Sequence, residues 1–151
     1  MQDLQVELIE ESIGFTGRGL ITGIVFFDFG AFQFPEREWN DAVVVIVDWW
    51  LIALINLVEG RTGEVELRFM EGSFWLSVRR EVGDECQIQC IEGSRASVQF
   101  QCRTSAVKLL RSTLMIAARL QRICYDKGWR SVDVEALENH VGEARKLAGE
   151  H

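Results

Sequence analysis

The apolar run at residues 42–58, AVVVIVDWWLIALINLV, limits the possible fold more than any other segment of this chain. It is longer than an ordinary strand, it does not alternate between apolar and polar positions, and Gly60 follows it closely. The run therefore predicts a helix over residues 41–59. Because apolar residues surround its axis, this helix should be buried on most sides. Asn40 or Asp41 is the expected N-cap.

The same run approaches the length of a membrane span, which needs about 20 apolar residues. Asp48 lies in its middle, where a charge costs about 2.5–3.5 kcal/mol on insertion scales, so a buried helix is the preferred interpretation and no membrane contact is expected. The first residues lack the basic and apolar segments of a secretory signal. We therefore expect a cytoplasmic protein with its four cysteines reduced.

Alternation of apolar and polar residues predicts strands on both sides of the helix. Two or three strands are expected in residues 1–34, and the run at 20–29 is apolar at both parities, which is typical of a central strand. Residues 63–103 show four alternating segments separated by short turns, which predicts an antiparallel meander. Two helices should follow, one at 104–127, with Thr104 or Ser105 as its N-cap and Gly128 at its end, and one at 132–147. The weaker apolar pattern of the last one suggests fraying or contact with another chain.

These elements predict one α+β domain, in which an antiparallel meander sheet packs on the buried helix. The chain is acidic, with a formal net charge of −7. Residues 1–92 contain 17 acidic and 6 basic residues, whereas residues 93–151 contain 6 acidic and 10 basic residues. An acidic surface repels nucleic acid and favours a basic protein partner, although acidity also serves solubility alone.

The sequence contains no recognisable catalytic motif, so we expect a non-catalytic protein without metal or cofactor. The two histidines, His140 and His151, belong to no motif. Cys86 and Cys90 are about 13 Å apart on an extended strand, too far to share one zinc ion. Their parity with Ile88 predicts that both are core residues.

Three sets of residues are candidates for a functional role. Asp48, the one ionisable residue inside the apolar helix, is a possible functional acid, although a structural hydrogen bond is the commoner explanation. Trp75 shares the polar face of its sheet with charged residues, as interface anchors do, but the C-terminal helices could also cover it. A basic stripe on the helix at 104–127 resembles a phosphate-binding face, while a solvated face is commoner. The charged neighbours of Trp75 are Glu64, Glu66, Arg68 and Arg79, and the stripe consists of Lys108, Arg111, Arg119 and Arg122.

Several short motifs within residues 20–80 are similar to those of small bacterial immunity proteins from polymorphic and contact-dependent inhibition toxin systems. They are FQFP at 32–35, WND at 39–41, DWWL at 48–51 and RFMEGSF at 68–74. The resemblance implies a small domain that neutralises a basic toxin domain by direct binding. Its motifs are structural in character and transfer no functional residue.

The leading hypothesis is therefore a toxin-neutralising binding protein that uses acidic residues of the first 92 positions, with Trp75 as an anchor. The alternative is a small-ligand-binding or enzymatic domain with a pocket near Trp49 and Trp50. A homodimer held by the C-terminal helices is a third possibility, so both a monomer and a homodimer remain open.

Overall fold

The α+β order predicted from the sequence is present in the computed structural model, which describes residues 3–150. Positions 1, 2 and 151, including the start of the predicted 1–34 strand region and His151, lie outside the described residues. The described elements are β1 (Gln5–Phe15), β2 (Ile21–Asp28), β3 (Gln33–Phe34), β4 (Asn40–Asp41), α1 (Val43–Val58), β5 (Glu64–Arg68), β6 (Phe74–Arg80), β7 (Glu85–Glu92), β8 (Ser97–Ser105), α2 (Ala106–Lys127) and α3 (Val132–Gly149).

The strands form two antiparallel sheets rather than one. In the first, β2 pairs with β1 on one side and with β3 and β4 on the other, so the prediction of a central strand at 20–29 is confirmed. The second sheet has the order β5-β6-β7-β8, which is the predicted meander. Side chains from both sheets join those of the helices in one hydrophobic core.

The helix α1 forms the centre of that core. Ten of its 16 residues are buried, and Trp50 is fully buried. The prediction that Asn40 or Asp41 caps the helix is wrong, because the N-cap is Ala42 and no side chain caps the first turn. Among residues 3–150, no helix is both long and apolar enough to cross a membrane.

The carboxylate of Asp41 instead joins the start of α1 to the turn after β5. Its oxygens accept hydrogen bonds from the Trp39 indole (3.0 Å), from the Ala42 amide (2.7 Å), and from the amides of Met70 (3.3 Å) and Glu71 (3.0 Å). The side chain is 1% exposed, so these four donors have replaced its water. Two of the motifs behind the family resemblance therefore meet at one structural carboxylate.

Aromatic rings beside Asp41 connect the two sheets. Phe69 is surrounded edge-on by Phe27, Phe34, Trp39 and Trp50, with centroid distances from 5.2 to 6.2 Å. The Trp50 indole also donates a 2.8 Å hydrogen bond to the Arg68 carbonyl. The DWWL and RFMEGSF motifs thus contact each other, which explains their structural character.

The last two helices pack against α1 and against each other. Ser105 is the N-cap of α2 and accepts a hydrogen bond from the Lys108 amide, and Gly128 ends the helix with a φ of 71°, both as predicted. Five apolar residues on one side of α3 are buried inside the chain: Val134, Leu137, Val141, Ala144 and Leu147. The seam expected to contact another chain is therefore already occupied.

Candidate functional site

The second sheet has one face in the core and one face toward solvent. Its core face carries the apolar positions of the four strands, and α1 packs against β5. The opposite face, here called the open sheet face, is formed by exposed and half-buried side chains that none of the described helices covers. Of the two explanations for Trp75, coverage by the C-terminal helices is wrong. The members of this face are Glu64, Glu66, Arg68, Trp75, Ser77, Arg79, Gln87, Gln89, Ile91, Val98, Gln101 and Arg103.

Trp75 is held in place on the open sheet face by its neighbours. The guanidinium carbon of Arg68, on the adjacent strand, lies 4.4 Å from the centroid of the indole, a cation–π distance. A β-carbon on Gly93 would lie 2.6 Å from the ring atom Cζ3, so only glycine leaves room for the indole there. The side chain is half-buried without any partner protein. It is therefore a pre-oriented aromatic group on an accessible surface.

The charges around Trp75 alternate in sign rather than forming an acidic patch. Glu66 binds Arg68 at 2.7 Å, and Glu64 accepts a hydrogen bond from Ser77 at 3.2 Å. Arg79, opposite Glu64 in the register, donates to the Gln87 side chain. All five residues singled out from the sequence, the four charged ones and Trp75, thus lie on one surface. Exposed pairs of this kind contribute little to stability.

The edge strand β8 borders the open sheet face and has unpaired backbone groups. In an antiparallel pair, only every second residue of a strand forms backbone hydrogen bonds with the neighbouring strand. Ala106 forms such a bond, because its amide donates to the Asp84 carbonyl (2.9 Å) in the β7–β8 register. Gln101 and Arg103 are an odd number of residues from Ala106, so their amides and carbonyls point away from the sheet. Such an edge offers hydrogen bonds to an incoming chain.

Asp48 lies between α1 and α3, where it contacts His140. Its Oδ1 is 2.6 Å from the His140 Nδ1, and its side chain is 13% exposed. Burial raises the pKa of this carboxyl above its usual value, and the hydrogen bond from His140 opposes that shift only in part. The partner of Asp48 could not be identified from the sequence, because nothing in α3 indicates which residue faces α1. The contact joins two helices, as the structural explanation expects, and the role of Asp48 as a functional acid stays a prediction.

The pocket expected near Trp49 and Trp50 is not supported by their positions. Trp50 is fully buried among aromatic rings, so it cannot line an open pocket, whereas Trp49 is 43% exposed on the other side of α1. Adjacent residues on a helix point about 100° apart, which explains this separation.

Cys86 and Cys90 lie in the core, as their parity predicted. These two and Cys124 are buried, and Cys102 is half-buried. Burial raises the pKa of Cys86, Cys102 and Cys124 to about 11, and that of Cys90 further. A thiol with such a pKa is protonated at neutral pH and is a poor nucleophile.

Comparison with protein-family models, with curated proteins and with solved structures gives no match for this chain. The geometry of the open sheet face is therefore the basis on which a function can be argued.

Proposed function

We propose that this chain is a non-catalytic binding protein, an immunity protein that neutralises a toxin domain by covering it with the open sheet face. The observation that carries the proposal is the uncovered outer surface of β5–β8, with Trp75 oriented on it by Arg68. Aromatic and arginine side chains are enriched at the centres of protein interfaces. The motif resemblance to immunity proteins points to the same role.

Recognition at this face would combine one aromatic anchor with a set of polar groups. Trp75 is already half-buried, so little side-chain entropy is lost when a partner covers it. Around it, Glu66, Arg68 and Arg79 present both signs of charge. Such a mixed surface selects a partner by the complementarity of its pattern, while the net charge of −7 attracts a basic domain from a distance.

The proposal makes the protein a cytoplasmic inhibitor that acts by occupation rather than by chemistry. The direct test is to mix the toxin domain encoded beside this gene with a stoichiometric excess of the protein and to measure the remaining toxic activity. We expect activity to be abolished. A toxin that stays fully active under these conditions contradicts the proposed function.

The location of the interface is tested by comparing the half-buried Trp75 with the exposed Trp49. Trp75→Ala should weaken binding of the toxin domain by at least about 30-fold, because truncation of a central anchor costs about 2 kcal/mol or more. Trp49→Ala removes an exposed tryptophan from α1 and should leave affinity unchanged. Calorimetric titration of each variant, with circular dichroism as a folding control, gives the comparison. Loss of affinity in Trp49→Ala alone would move the interface to α1.

A further inference from the structure

A groove between α2 and α3 concentrates arginines that the proposed function does not use. It has a volume of about 360 Å³, near the lower end of the range for small-ligand sites. Arg119, Arg122 and Tyr125 line it from α2, and Glu138 and Arg145 line it from α3. Two members of the basic stripe noted in the sequence, Arg119 and Arg122, are thus joined by an arginine from another helix.

Two of these arginines have no counter-ion among residues 3–150. Arg119 is bound by Glu10 at 2.6 Å, and the acidic member of the groove, Glu138, is already bound by Arg130. Arg122 and Arg145 are exposed, and the described part of the chain provides neither with an ion pair or a side-chain hydrogen bond. The groove therefore has uncompensated positive charge within an acidic protein.

The side-chain types in the groove indicate which anion would fit. A guanidinium group presents a planar fork of donors that matches phosphate oxygens, and two such groups can bind one phosphate together. Tyr125 lies three residues after Arg122, hence on the same side of α2, and its side chain is 76% exposed. An exposed aromatic ring beside a phosphate site offers a stacking surface for a base.

We propose that this groove binds a nucleoside phosphate, with Arg122 and Arg145 on the phosphate and Tyr125 against the base. The site lies on α2 and α3, whereas the open sheet face lies on β5–β8, so the two proposals stand independently. The volume of the groove is in the range that holds one small ligand.

The proposal is tested by calorimetric titration of the full chain with AMP and, separately, with inorganic phosphate. We expect AMP to bind with a Kd below about 1 mM, which corresponds to a binding free energy of about −4 kcal/mol. Arg122→Gln/Arg145→Gln should weaken both ligands at least tenfold. Arg37→Gln/Arg95→Gln removes the same charge from exposed positions outside the groove and should change neither affinity. Tyr125→Leu should weaken AMP several-fold and leave phosphate unchanged.

Three results would overturn the proposal. The first is absence of AMP binding at about 10 mM, far above the expected Kd. The second is equal loss of affinity in the two double-arginine variants, which would indicate attraction by net charge rather than a site. The third is binding to a single-stranded oligonucleotide, or to vesicles containing a phosphoinositide, that is tighter than AMP binding and depends on Arg122. That result would assign the phosphate contact to a polymer or a membrane surface.

Discussion

At the scale of single residues, Asp41 is the side chain on which the junction between α1 and β5 most depends. Asp41→Ala removes the acceptor of four hydrogen bonds at a buried position. Because a buried donor without a partner costs about 1–3 kcal/mol, we expect the free energy of unfolding to fall by roughly 3 kcal/mol or more. Urea unfolding measures the change. Asp126→Ala, at an exposed position of α2, is the control and should change stability by less than about 0.5 kcal/mol.

The pH dependence of stability tests the effect of burial on a second single residue, Asp48. Its pKa is raised in the folded protein by burial, so between its usual value of 3.8 and the raised value the folded state binds more protons than the unfolded state. The stability that protonated Asp48 contributes is therefore fully present below pH 3.8, and it is lost as the pH rises through the raised pKa. We expect the stability of the wild type relative to Asp48→Asn to fall over this window.

Urea unfolding of both proteins at a series of pH values from about 3 to 7 gives the comparison. The asparagine variant retains an oxygen that can accept from His140 and cannot titrate, which makes it the matched reference. A relative stability that instead rises with pH over this range would mean that the hydrogen bond from His140 outweighs burial.

At the scale of elements, the local patterns of the chain were sufficient to place most helices and strands. Alternation placed the four strands β5–β8, and Gly60 and Gly128 marked the ends of two helices. The division into two sheets was not visible, because the pattern shows which side of a strand is apolar and not which strand lies beside it. For the same reason one pocket was predicted near both Trp49 and Trp50, because a helix with apolar residues all around gives no sign of which side is exposed.

The candidate site, too, could be predicted from the sequence only in part. Parity alone placed Trp75 and its four charged neighbours on one face. Whether α2 and α3 cover that face depends on contacts far apart in the chain, so the sequence left it open. The link between Asp48 and His140 spans 92 positions and could not be found from either helix alone.

The pairing of β7 with β8 makes a further prediction for an element. Gln89 and Gln101 face each other in the register, but the Gln89 amide points to β6 and the Gln101 amide points away from the sheet. Gln89→Pro should therefore cost about 3 kcal/mol or more, because it removes a ladder hydrogen bond from an interior strand. Gln101→Pro, at the free edge, should cost about 1 kcal/mol or less. Thermal unfolding of the two variants is the measurement, and equal losses would show that the edge of β8 is not free.

At the scale of the whole molecule, charge is divided between the two parts of the chain. Residues 1–92 have a formal charge of −11 and residues 93–151 have +4. If the open sheet face binds a basic partner, the acidic part should direct the approach. The association rate should then fall at least several-fold between about 20 mM and 0.5 M salt, because screening shortens the range of attraction, while the dissociation rate changes little. Stopped-flow mixing with the toxin domain measures both rates.

The position of the charge can be separated from its amount by two double variants. Glu64→Gln/Glu66→Gln and Glu11→Gln/Glu36→Gln each change the net charge from −7 to −5, and all four side chains are exposed. Only the first pair lies on the open sheet face. Because electrostatic attraction weakens with distance, the first variant should slow association more than the second at low salt. Equal slowing would mean that the net charge alone steers the encounter, and a slower second variant would place the partner on the first sheet.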